Sequence, residues 1–317
     1  MNRESSSAPN MSVVVVILGG RSYLPRCLEA LVQQVSGEDT EIVVPCDGRT
    51  PDLAAVRKLF PAVRFITVSG PRTYAELRAL GVQESRGTIV ALTEDHCTPN
   101  SDWCAQIRKA HAGPHAAVGG AVDKKESDTA VNWALYLADY GRYMSPMPEG
   151  PLHHLSDCNV SYKRSSLQAI GDVWHNEFHE PAVHEALRAR GESLWFSPHV
   201  VVRQQRSLGF SEAVKDRYSF GRLFGGERVA SASWLLRLFY ISFSVLLPGL
   251  LTARVAQHVF RRRRCTGAFL YALPALALLN LAWAWGEFVG YVTGRPGDSL
   301  TPKTPASDTR LRKSAAT

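Results

Sequence analysis

Short apolar runs alternate with longer amphipathic segments along the first hundred residues of the chain. The runs are rich in Val and Ile and occupy residues 12–18, 41–44, 63–68 and 88–92. Between them, apolar residues recur three and four positions apart over residues 23–34, 51–60 and 73–85. Runs that are apolar on both faces predict buried strands, and the segments between them predict helices that cover a sheet. This order is typical of the α/β class, with a parallel, right-handed, doubly wound sheet.

The regular order fades after residue 110. The elements predicted there are a strand over residues 117–122, an aromatic helix over 131–143 and a Pro-rich loop over 145–151. A second α+β portion continues to about residue 205, within the usual error of such boundaries. We expect one folded domain over residues 12–233, preceded by a disordered leader at 1–11 and followed, after the segments described next, by a disordered tail at 293–317.

Two apolar stretches follow the folded domain. Residues 266–286 form a stretch of 21 residues without a charge, which is long enough to span a bilayer. Aromatic residues suited to a membrane–water interface stand near one end of it: Trp283, Trp285 and Tyr291. Residues 238–253 include only 16 uncharged residues, which Pro248-Gly249 interrupts. We expect membrane-associated helices over residues 234–292, and the alternative is a buried pair of soluble amphipathic helices.

Four consecutive arginines, Arg261–Arg264, separate the two stretches and belong on the cytoplasmic side by the positive-inside rule. If the first stretch crossed the membrane fully, the folded domain and these arginines would lie on opposite sides. We therefore expect the first stretch to be re-entrant, turning back at Pro248-Gly249, so that only the second stretch crosses. The domain then lies in the cytoplasm, at the inner (plasma) membrane.

The charge of the chain is unevenly distributed. A formal net charge of +7 and a hydrophobic content of 45% exclude a disordered or collagen-like chain. Residues 1–233 hold 25 Lys/Arg against 26 Asp/Glu, whereas residues 234–290 hold 6 against 1 and residues 291–317 hold 5 against 2. Because the basic excess is C-terminal, we expect a membrane surface as partner and no nucleic acid. The six cysteines include no CxxC pair, which favours reduced thiols.

Acidic residues stand directly after two of the predicted strands. Asp47 follows the second strand, and Glu94, Asp95 and His96 follow the fourth. Ligands of doubly wound sheets bind beyond the carboxyl ends of the strands, where these side chains can hold a divalent cation that binds a diphosphate. The imidazole of His96 favours Mn²⁺ over Mg²⁺ as the cofactor, and both ions stay open. The alternative is a solvated acidic turn.

Five segments together resemble the nucleotide-binding half of family 2 glycosyltransferases with the GT-A fold: residues 12–20, 24–34, 41–48, 72–81 and 89–103. Weaker matches extend the resemblance over most of residues 12–290. It implies that residues 12–233 form a GT-A-like domain with a doubly wound, mixed, mainly parallel sheet. The nucleotide-binding half would cover residues 12–110 and the acceptor half 111–233.

The resemblance implies donor-side roles in the first half. Asp47 matches the family's Asp that contacts the nucleoside part of the donor. Glu94, Asp95 and His96 match an acidic triplet, usually all aspartate, that binds the metal and the donor diphosphate. Arg78 lies in one of the matching segments and is assigned to donor binding as well.

Acceptor-side and catalytic roles follow for the second half. Asn159 and its neighbour Asp157 match a polar acceptor segment, and Glu180 matches the catalytic base of inverting enzymes. Apolar neighbours would raise the pKa of Glu180 towards the working pH. The alternative is a helix N-terminal carboxylate stabilised by the helix dipole. Arg217 and Arg222 match a basic segment that contacts the diphosphate or lipid.

The sequence therefore predicts a membrane-associated, metal-dependent, inverting glycosyltransferase of the hexosyl type. It would move a single sugar from a nucleotide-sugar donor to a lipid or envelope-glycan acceptor. Two other functions stay open: a non-catalytic protein that binds sugar nucleotides or acts as a membrane scaffold, and a nucleotidyltransferase that releases pyrophosphate. Glu177 and Glu185 are alternatives to Glu180 as the base. Four aromatic residues at helical spacing favour core packing over a sugar-stacking wall: Trp133, Tyr136, Tyr140 and Tyr143.

Overall fold

The computed structural model describes residues 9–18, 23–35, 39–47, 53–124, 128–230 and 232–295. The expected leader and tail lie almost wholly outside these ranges. The strands are β1 Met11–Val16, β2 Thr40–Asp47, β3 Arg64–Val68, β4 Ile89–Glu94, β5 Cys97–Pro99, β6 Ala117–Lys124, β7 Gly150–Pro151, β8 Asn159–Lys163 and β9 Leu194–Gln204. The helices are α1 Leu24–Val32, α2 Ala54–Leu59, α3 Tyr74–Glu84, α4 Trp103–His111, α5 Ala130–Asp139, α6 Arg164–Gln168, α7 Gly171–Trp174, α8 Glu180–Ala189, α9 Phe210–Val229, α10 Trp234–Phe243, α11 Leu247–Arg262 and α12 Thr266–Thr293.

The described strands form one mixed sheet in the order β3-β2-β1-β4-β8-β6-β9-β5, with β7 beside β9. The first four strands in this order are parallel, β8 runs antiparallel to both its neighbours, and β6 is parallel to β9. The predicted mixed, mainly parallel sheet is confirmed. After β1 the chain forms β2 and β3 on one side of it and then returns to form β4 on its other side. A reversal of this kind opens a crevice at the carboxyl ends of the strands.

Consecutive valines in β1 reach the two faces of the sheet. Val13 and Val15 join the core that includes Leu28 of α1, whereas Val14 and Val16 join the core that includes Leu77 of α3. All four valines are fully buried. Side chains alternate across a strand, so a continuous apolar run is what a strand covered by helices on both faces requires.

The aromatic segment forms α5 and a short 3₁₀ turn at Gly141–Tyr143. Trp133, Tyr136 and Tyr143 are buried in the core, as core packing predicts. Tyr136 donates a hydrogen bond from its hydroxyl to the carbonyl of Val122 at 2.9 Å, which ties α5 to β6.

Helices α10 and α11, joined by a 3₁₀ turn at Ser244–Leu246, run antiparallel to α12 along its whole length. Arg237 near the start of α10 donates to the carbonyl of Tyr291, and Phe260 near the end of α11 contacts Phe269. The expected reversal at Pro248-Gly249 is wrong. Pro248 lies in the first turn of α11. An N–H at that position would have no partner within the helix, and the fixed φ of proline suits the helical backbone.

The two helical runs Trp234–Arg262 and Thr266–Thr293 are each long and apolar enough to cross a membrane. The aromatic residues expected as interfacial anchors have different environments. Tyr291 is buried and Trp283 lies under the guanidinium of Arg217, whereas Trp285 is exposed. Tyr291 is therefore part of the helix packing, and its hydroxyl is bonded to Glu287 and Arg228.

Candidate active site

The crevice residues on the donor side stand at the ends of strands. Asp47 and Glu94 are the last residues of β2 and β4, rather than members of the loops that follow. The backbone N–H of Asp95 donates to the carbonyl of Val16 at 2.9 Å, and its carboxylate accepts from the N–H of Leu18 at 2.9 Å. Asp95 therefore joins the ends of β1 and β4.

Arg78 is positioned by the rigid start of α3. The hydroxyl of Thr73 accepts from the N–H of Glu76 at 3.1 Å, and the carboxylate of Glu76 accepts from the N–H of Thr73 at 2.6 Å. This reciprocal capping satisfies two donors at the helix end. Just before the helix, the carboxylate of Asp47 accepts from the N–H of Arg72 at 2.9 Å, which ties the start of α3 to the end of β2.

Three carboxylates surround the buried guanidinium of Arg78. Its Nη2 is bonded to Oε1 of Glu94 and lies 3.6 Å from Oδ2 of Asp157, and its Nε lies 3.1 Å from Oε1 of Glu180. Glu94 and Glu180 are buried, whereas the side chain of Asp157 is 43% exposed. The structure thus brings together four of the residues assigned to the donor, the acceptor and the base.

Glu180 is the first residue of α8. The N–H of Phe178, two residues earlier, donates to the carbonyl of Ala75 in α3 at 2.9 Å, which holds this helix start against Arg78. Burial raises the pKa of Glu180 to about 7, an effect that the charge of Arg78 opposes and the charge of Asp157 reinforces. The alternative bases Glu177 and Glu185 are exposed.

Burial also raises the pKa of Glu94, with the carboxylate of Asp157 adding to the effect. The single positive charge of Arg78 therefore faces more carboxylate charge than it can balance. A site with this surplus is suited to a further cation.

The residues that could receive that cation are Glu94, His96 and Cys97, whose ligand atoms lie within 4.8 Å of one another. Nε2 of His96 is 3.3 Å from Oε2 of Glu94, and Nδ1 is 3.5 Å from the carboxylate of Asp95. Both ring nitrogens of His96 are buried and have no hydrogen-bond partner among the described residues. Since a buried polar group without a partner is costly, an imidazole in this state fits a metal ligand.

Cys97 is less suited to be a ligand than its neighbours. Burial raises the pKa of its thiol well above the usual value, and contact with Cys158 adds to the effect. Because a metal binds the thiolate, the carboxylate and imidazole are the stronger ligands here. Sequence reasoning did not include Cys97, because its approach to Glu94 and His96 depends on the tight turn between β4 and β5.

Arg206 is a second residue that the motif reasoning did not assign. It follows β9, and the N–H of the preceding Gln205 donates to the carbonyl of His96 at 2.8 Å. Its guanidinium is largely buried and lies 2.6 Å from the carboxylate of Asp216 in α9. Its position immediately after the long strand β9 is the feature of the sequence that could have indicated a site residue.

Asn159 is not part of this cluster. It is fully buried, accepts from the indole N–H of Trp103 at 2.8 Å and donates to the carbonyls of Ala121 and Val200 at 2.9 and 3.0 Å. These bonds use both amide hydrogens, so Asn159 connects strands of the sheet.

Arg217 and Arg222 lie on α9, beside α12. Arg217 is buried, forms an ion pair with Asp139 at the end of α5, and has its guanidinium 4.3 Å from the ring centre of Trp283. Arg222 is half-buried, and its Nε has no hydrogen-bond partner among the described residues. The two arginines thus differ: Arg217 is committed to protein partners, and Arg222 retains donor capacity.

Comparison with known sequences assigns the chain to a family. The family described as Glycosyl transferase family 2 matches residues 12–171, half of the chain, and the protein belongs to this family. No curated protein matches the sequence.

Two solved structures illustrate the similarity of fold. The mannosyltransferase PcManGT from Pyrobaculum calidifontis, in complex with GDP-Man and Mn²⁺, has a TM-score of 0.52 at 17% identity, over 90% of this chain and 86% of its own. Residues 1–349 of S. aureus TarS give a TM-score of 0.45 at 13% identity, over 90% of each chain. The similarity to PcManGT confirms the GT-A-like fold, and two apolar helices lie at its C-terminal end.

Proposed function

We propose that this protein is an inverting, membrane-associated glycosyltransferase that moves one hexosyl unit from a nucleotide sugar to a lipid or envelope-glycan acceptor. The observation that carries the proposal is the position of Glu180, buried beside Arg78 and close to the end of β4. Burial raises its pKa to about 7. A carboxylate of that pKa is suited to accept a proton near neutral pH.

The donor occupies the crevice at the carboxyl ends of β1, β2 and β4 in this proposal. Asp47 contacts the nucleoside, and Glu94, Asp95 and Arg78 border the diphosphate. The transferase domain covers residues 12–233, with the nucleotide-binding half at 12–110 and the acceptor half at 111–233. The burial of Asp47 and Glu94 at neighbouring strand ends supports this placement.

Glu94 and His96 would hold a divalent ion, with Asp95 adjacent. The buried imidazole of His96 supports the assignment, because its nitrogens lie near carboxylates and make no hydrogen bond among the described residues, and PcManGT was solved with Mn²⁺ and GDP-Man. A bound metal supplies Lewis-acid neutralisation of a leaving diphosphate. Mn²⁺ suits the nitrogen ligand better than Mg²⁺ does.

The protein's own residues act on the acceptor. The acceptor oxygen forms a bond to the anomeric carbon, the bond from that carbon to the donor phosphate oxygen breaks, and the hydroxyl proton passes to Glu180. Arg78 keeps Glu180 in place, and its charge opposes the effect of burial on the pKa of Glu180, which favours the ionised form that accepts the proton. Asp157, which is exposed beside them, orients the acceptor hydroxyl.

A cationic lining completes the donor site. Arg206 lies directly behind the turn that contains His96 but is paired with Asp216 at 2.6 Å, so it would add to the positive potential of the site without a direct contact to the diphosphate. Arg217 is already paired with Asp139, so Arg222 is the better candidate for a lipid contact.

The exposed apolar surface of α10–α12 supports membrane association, and we place the catalytic domain on the cytoplasmic face of the inner (plasma) membrane. The basic excess of residues 234–290, 6 Lys/Arg against 1 Asp/Glu, matches the anionic surface of that face.

Binding and turnover with a panel of UDP-, GDP- and dTDP-sugars test the proposal, using the full chain in detergent with Mn²⁺. We expect one donor class to raise the melting temperature by mass action and to be turned over. Absence of both effects across the panel would overturn the proposal. Release of pyrophosphate from a nucleoside triphosphate would indicate a nucleotidyltransferase instead.

A further inference from the structure

Helix α9 runs parallel to α12 at very short distance. A Cβ added to Gly221 would lie 2.2 Å from the carbonyl oxygen of Trp283, and one added to Gly225 would lie 2.5 Å from that of Glu287. In return, Gly286 and Gly290 of α12 face the backbone of α9 equally closely. Small residues at these positions let the two backbones touch. Helix α9 and the C-terminal half of α12 therefore form one rigid unit.

The N-terminal half of α12 packs on the folded domain. It contacts α5, and Phe269 and Leu276 lie in the same core as Trp133. The short connection between α11 and α12 is also bonded to the domain. Nη1 of Arg262 donates to the carbonyls of Gly141 and Met144 at 2.8 and 2.6 Å.

A second bond holds that connection. Nη1 of Arg264 lies 3.0 Å from the carboxylate of Asp123 and donates to the carbonyl of Ser145 at 2.9 Å. Hence the turn of the helical hairpin, residues 262–266, is fixed to the domain. The opposite end of the hairpin, residues 232–237 and 291–295, lies beside the C-terminal end of α9.

A transmembrane arrangement conflicts with these contacts. Helix α12 has 28 residues, about 42 Å of helix, against a hydrocarbon core of about 30 Å. If this hairpin crossed the core, its turn and its open end would lie on opposite faces. Helix α9 leads from the domain to the open end and lies along α12, so it would have to cross too.

Helix α9 is unsuited to crossing. The part that lies against α12 carries Arg222, Glu227 and Arg228; Glu227 is exposed, and Arg228 is partly exposed although it is bonded to Tyr291. Charged side chains within the hydrocarbon core are costly unless they face a protein interior or water. The hairpin, by contrast, exposes many large apolar side chains on α10, on the 3₁₀ turn and on α12.

That apolar surface covers α10, the 3₁₀ turn, the start of α11 and α12, whereas the exposed side chains of α11 between Leu250 and Phe260 include Arg254 and Gln257. It includes Trp234 on α10, Val245 in the 3₁₀ turn and Phe260 on α11, which are 72%, 80% and 54% exposed. On α12 it includes Leu278 and Trp285, which are 50% and 60% exposed. Exposed arginines stand at its border, at positions 254, 261 and 263. An apolar face bordered by cations fits a helix that lies in the interface of an anionic bilayer.

We infer that the α10–α12 hairpin lies in the plane of a single leaflet, with α9 between it and the aqueous phase, and that neither apolar helix crosses the bilayer. The occupant of the apolar face is the acyl-chain region of an anionic leaflet. This inference rests on the membrane association proposed above. In this arrangement the folded domain and Arg261–Arg264 lie on the same side of the bilayer, because both ends of the hairpin are on that side.

Site-directed labelling with a membrane-impermeant maleimide tests the inference in right-side-out and inside-out membrane vesicles from cells expressing the full chain. Cys265 is replaced by Ser, and the five buried cysteines stay. Three reporters are compared: Gly267→Cys at the hairpin turn, Arg295→Cys at its open end, and Leu59→Cys on the domain. All three positions are exposed, and a Cβ on Gly267 meets nothing within 4 Å.

We expect all three reporters to react in the same vesicle orientation. Reaction of Gly267→Cys and Arg295→Cys from opposite sides would overturn the inference and leave the proposed transferase membrane-bound. Failure of either to react before denaturation would also overturn it.

A protein that stays in the soluble fraction would contradict the proposed membrane association itself. In that case, size-exclusion chromatography that gives a dimer would identify a second copy as the occupant of the apolar face. Donor binding is measured on the same preparations, so that failure of the transferase proposal is seen separately.

Discussion

Arg78 and Glu180 lie 102 residues apart in the chain, yet Nε of the arginine is 3.1 Å from Oε1 of the glutamate. The pair joins α3 of the nucleotide-binding half to α8 of the acceptor half. Arg78 also holds Glu94 at the end of β4. One cation therefore links the proposed base to the proposed donor site, and changes to either partner have distinct expected effects.

Replacement of Glu180 by Gln should abolish most turnover and leave donor affinity almost unchanged. The amide keeps the shape of the side chain and cannot accept the acceptor's proton, so we expect kcat to fall by about 10²–10⁴-fold. The matched control is Glu185→Gln, an exposed residue on the same helix, which should retain wild-type turnover. Equal loss in both variants, or none in Glu180→Gln, would contradict the assignment of the base.

The pH dependence of transfer should report the pKa of Glu180. The base acts in its ionised form, so kcat/KM should rise with pH through a midpoint of about 7 and then level off. Arg78 lowers this pKa, so its removal in Arg78→Gln should move the midpoint to higher pH, whereas Arg78→Lys should move it less. A midpoint that stays in place in Arg78→Gln would show that another group titrates.

Replacement of His96 should change the preference for metal ions. In His96→Asp the nitrogen ligand becomes a carboxylate, so we expect weaker Mn²⁺ binding relative to Mg²⁺. Titration of the protein with each metal alone, followed by Mn²⁺ electron paramagnetic resonance, measures the change. Cys97→Ser is the control and should leave Mn²⁺ affinity nearly unchanged, since burial raises the pKa of this thiol and thiolate is a poor match for Mn²⁺. A larger effect of Cys97→Ser than of His96→Asp would reassign the ligands.

Addition of a methyl group at the contact between α9 and α12 should destabilise the protein. The Cβ of Gly221→Ala would lie 2.2 Å from a backbone carbonyl oxygen of α12, so the helices must move apart. We expect a loss of about 1–3 kcal/mol, seen as a lower melting temperature.

Gly249→Ala is the control for that measurement, at a glycine with open space around it. It lies in the first turn of α11, and a Cβ there meets nothing within 4 Å. Gly249→Ala should stabilise the helix by up to about 1 kcal/mol. The two substitutions should therefore shift the melting temperature in opposite directions, and shifts of the same sign would contradict the close packing of α9 on α12.

A charge on the outer face of the hairpin should weaken membrane binding. Val245 is 80% exposed between α10 and α11, so Val245→Glu should leave folding intact and reduce sedimentation with vesicles of phosphatidylethanolamine and phosphatidylglycerol. Leu59→Glu, on an exposed site of α2, is the control with the same change in charge. Equal sedimentation of the two variants would exclude this face from the lipid contact.

Much of the first half of the fold could be predicted because its pattern is local. The run of valines in β1 indicates burial on both faces, and α1 and α3 cover those faces as expected. The expected chemistry at the strand ends also depended only on order along the chain, and Asp47 and Glu94 lie there, each within its strand rather than after it.

The remaining features depend on contacts between distant segments. The pairing of Arg78 with Glu180 requires α8 to begin against α3, and nothing in either segment alone specifies that approach. The course of α10 and α11 was mispredicted for a related reason. A proline followed by glycine is equally compatible with a reversal and with the first turn of a helix, and the choice depends on the packing against α12.

Arg217 has a practical consequence for handling this protein. Its guanidinium lies between the carboxylate of Asp139, beside the catalytic half of the domain, and the ring of Trp283 in the apolar hairpin. A truncation before residue 234, the usual route to a water-soluble version, would remove the indole and uncover the glycine face of α9. Crystallisation and assay should therefore start from the intact chain in a lipid nanodisc or mild detergent, since the shortened protein would lose the packing of α12 against α9 and α5.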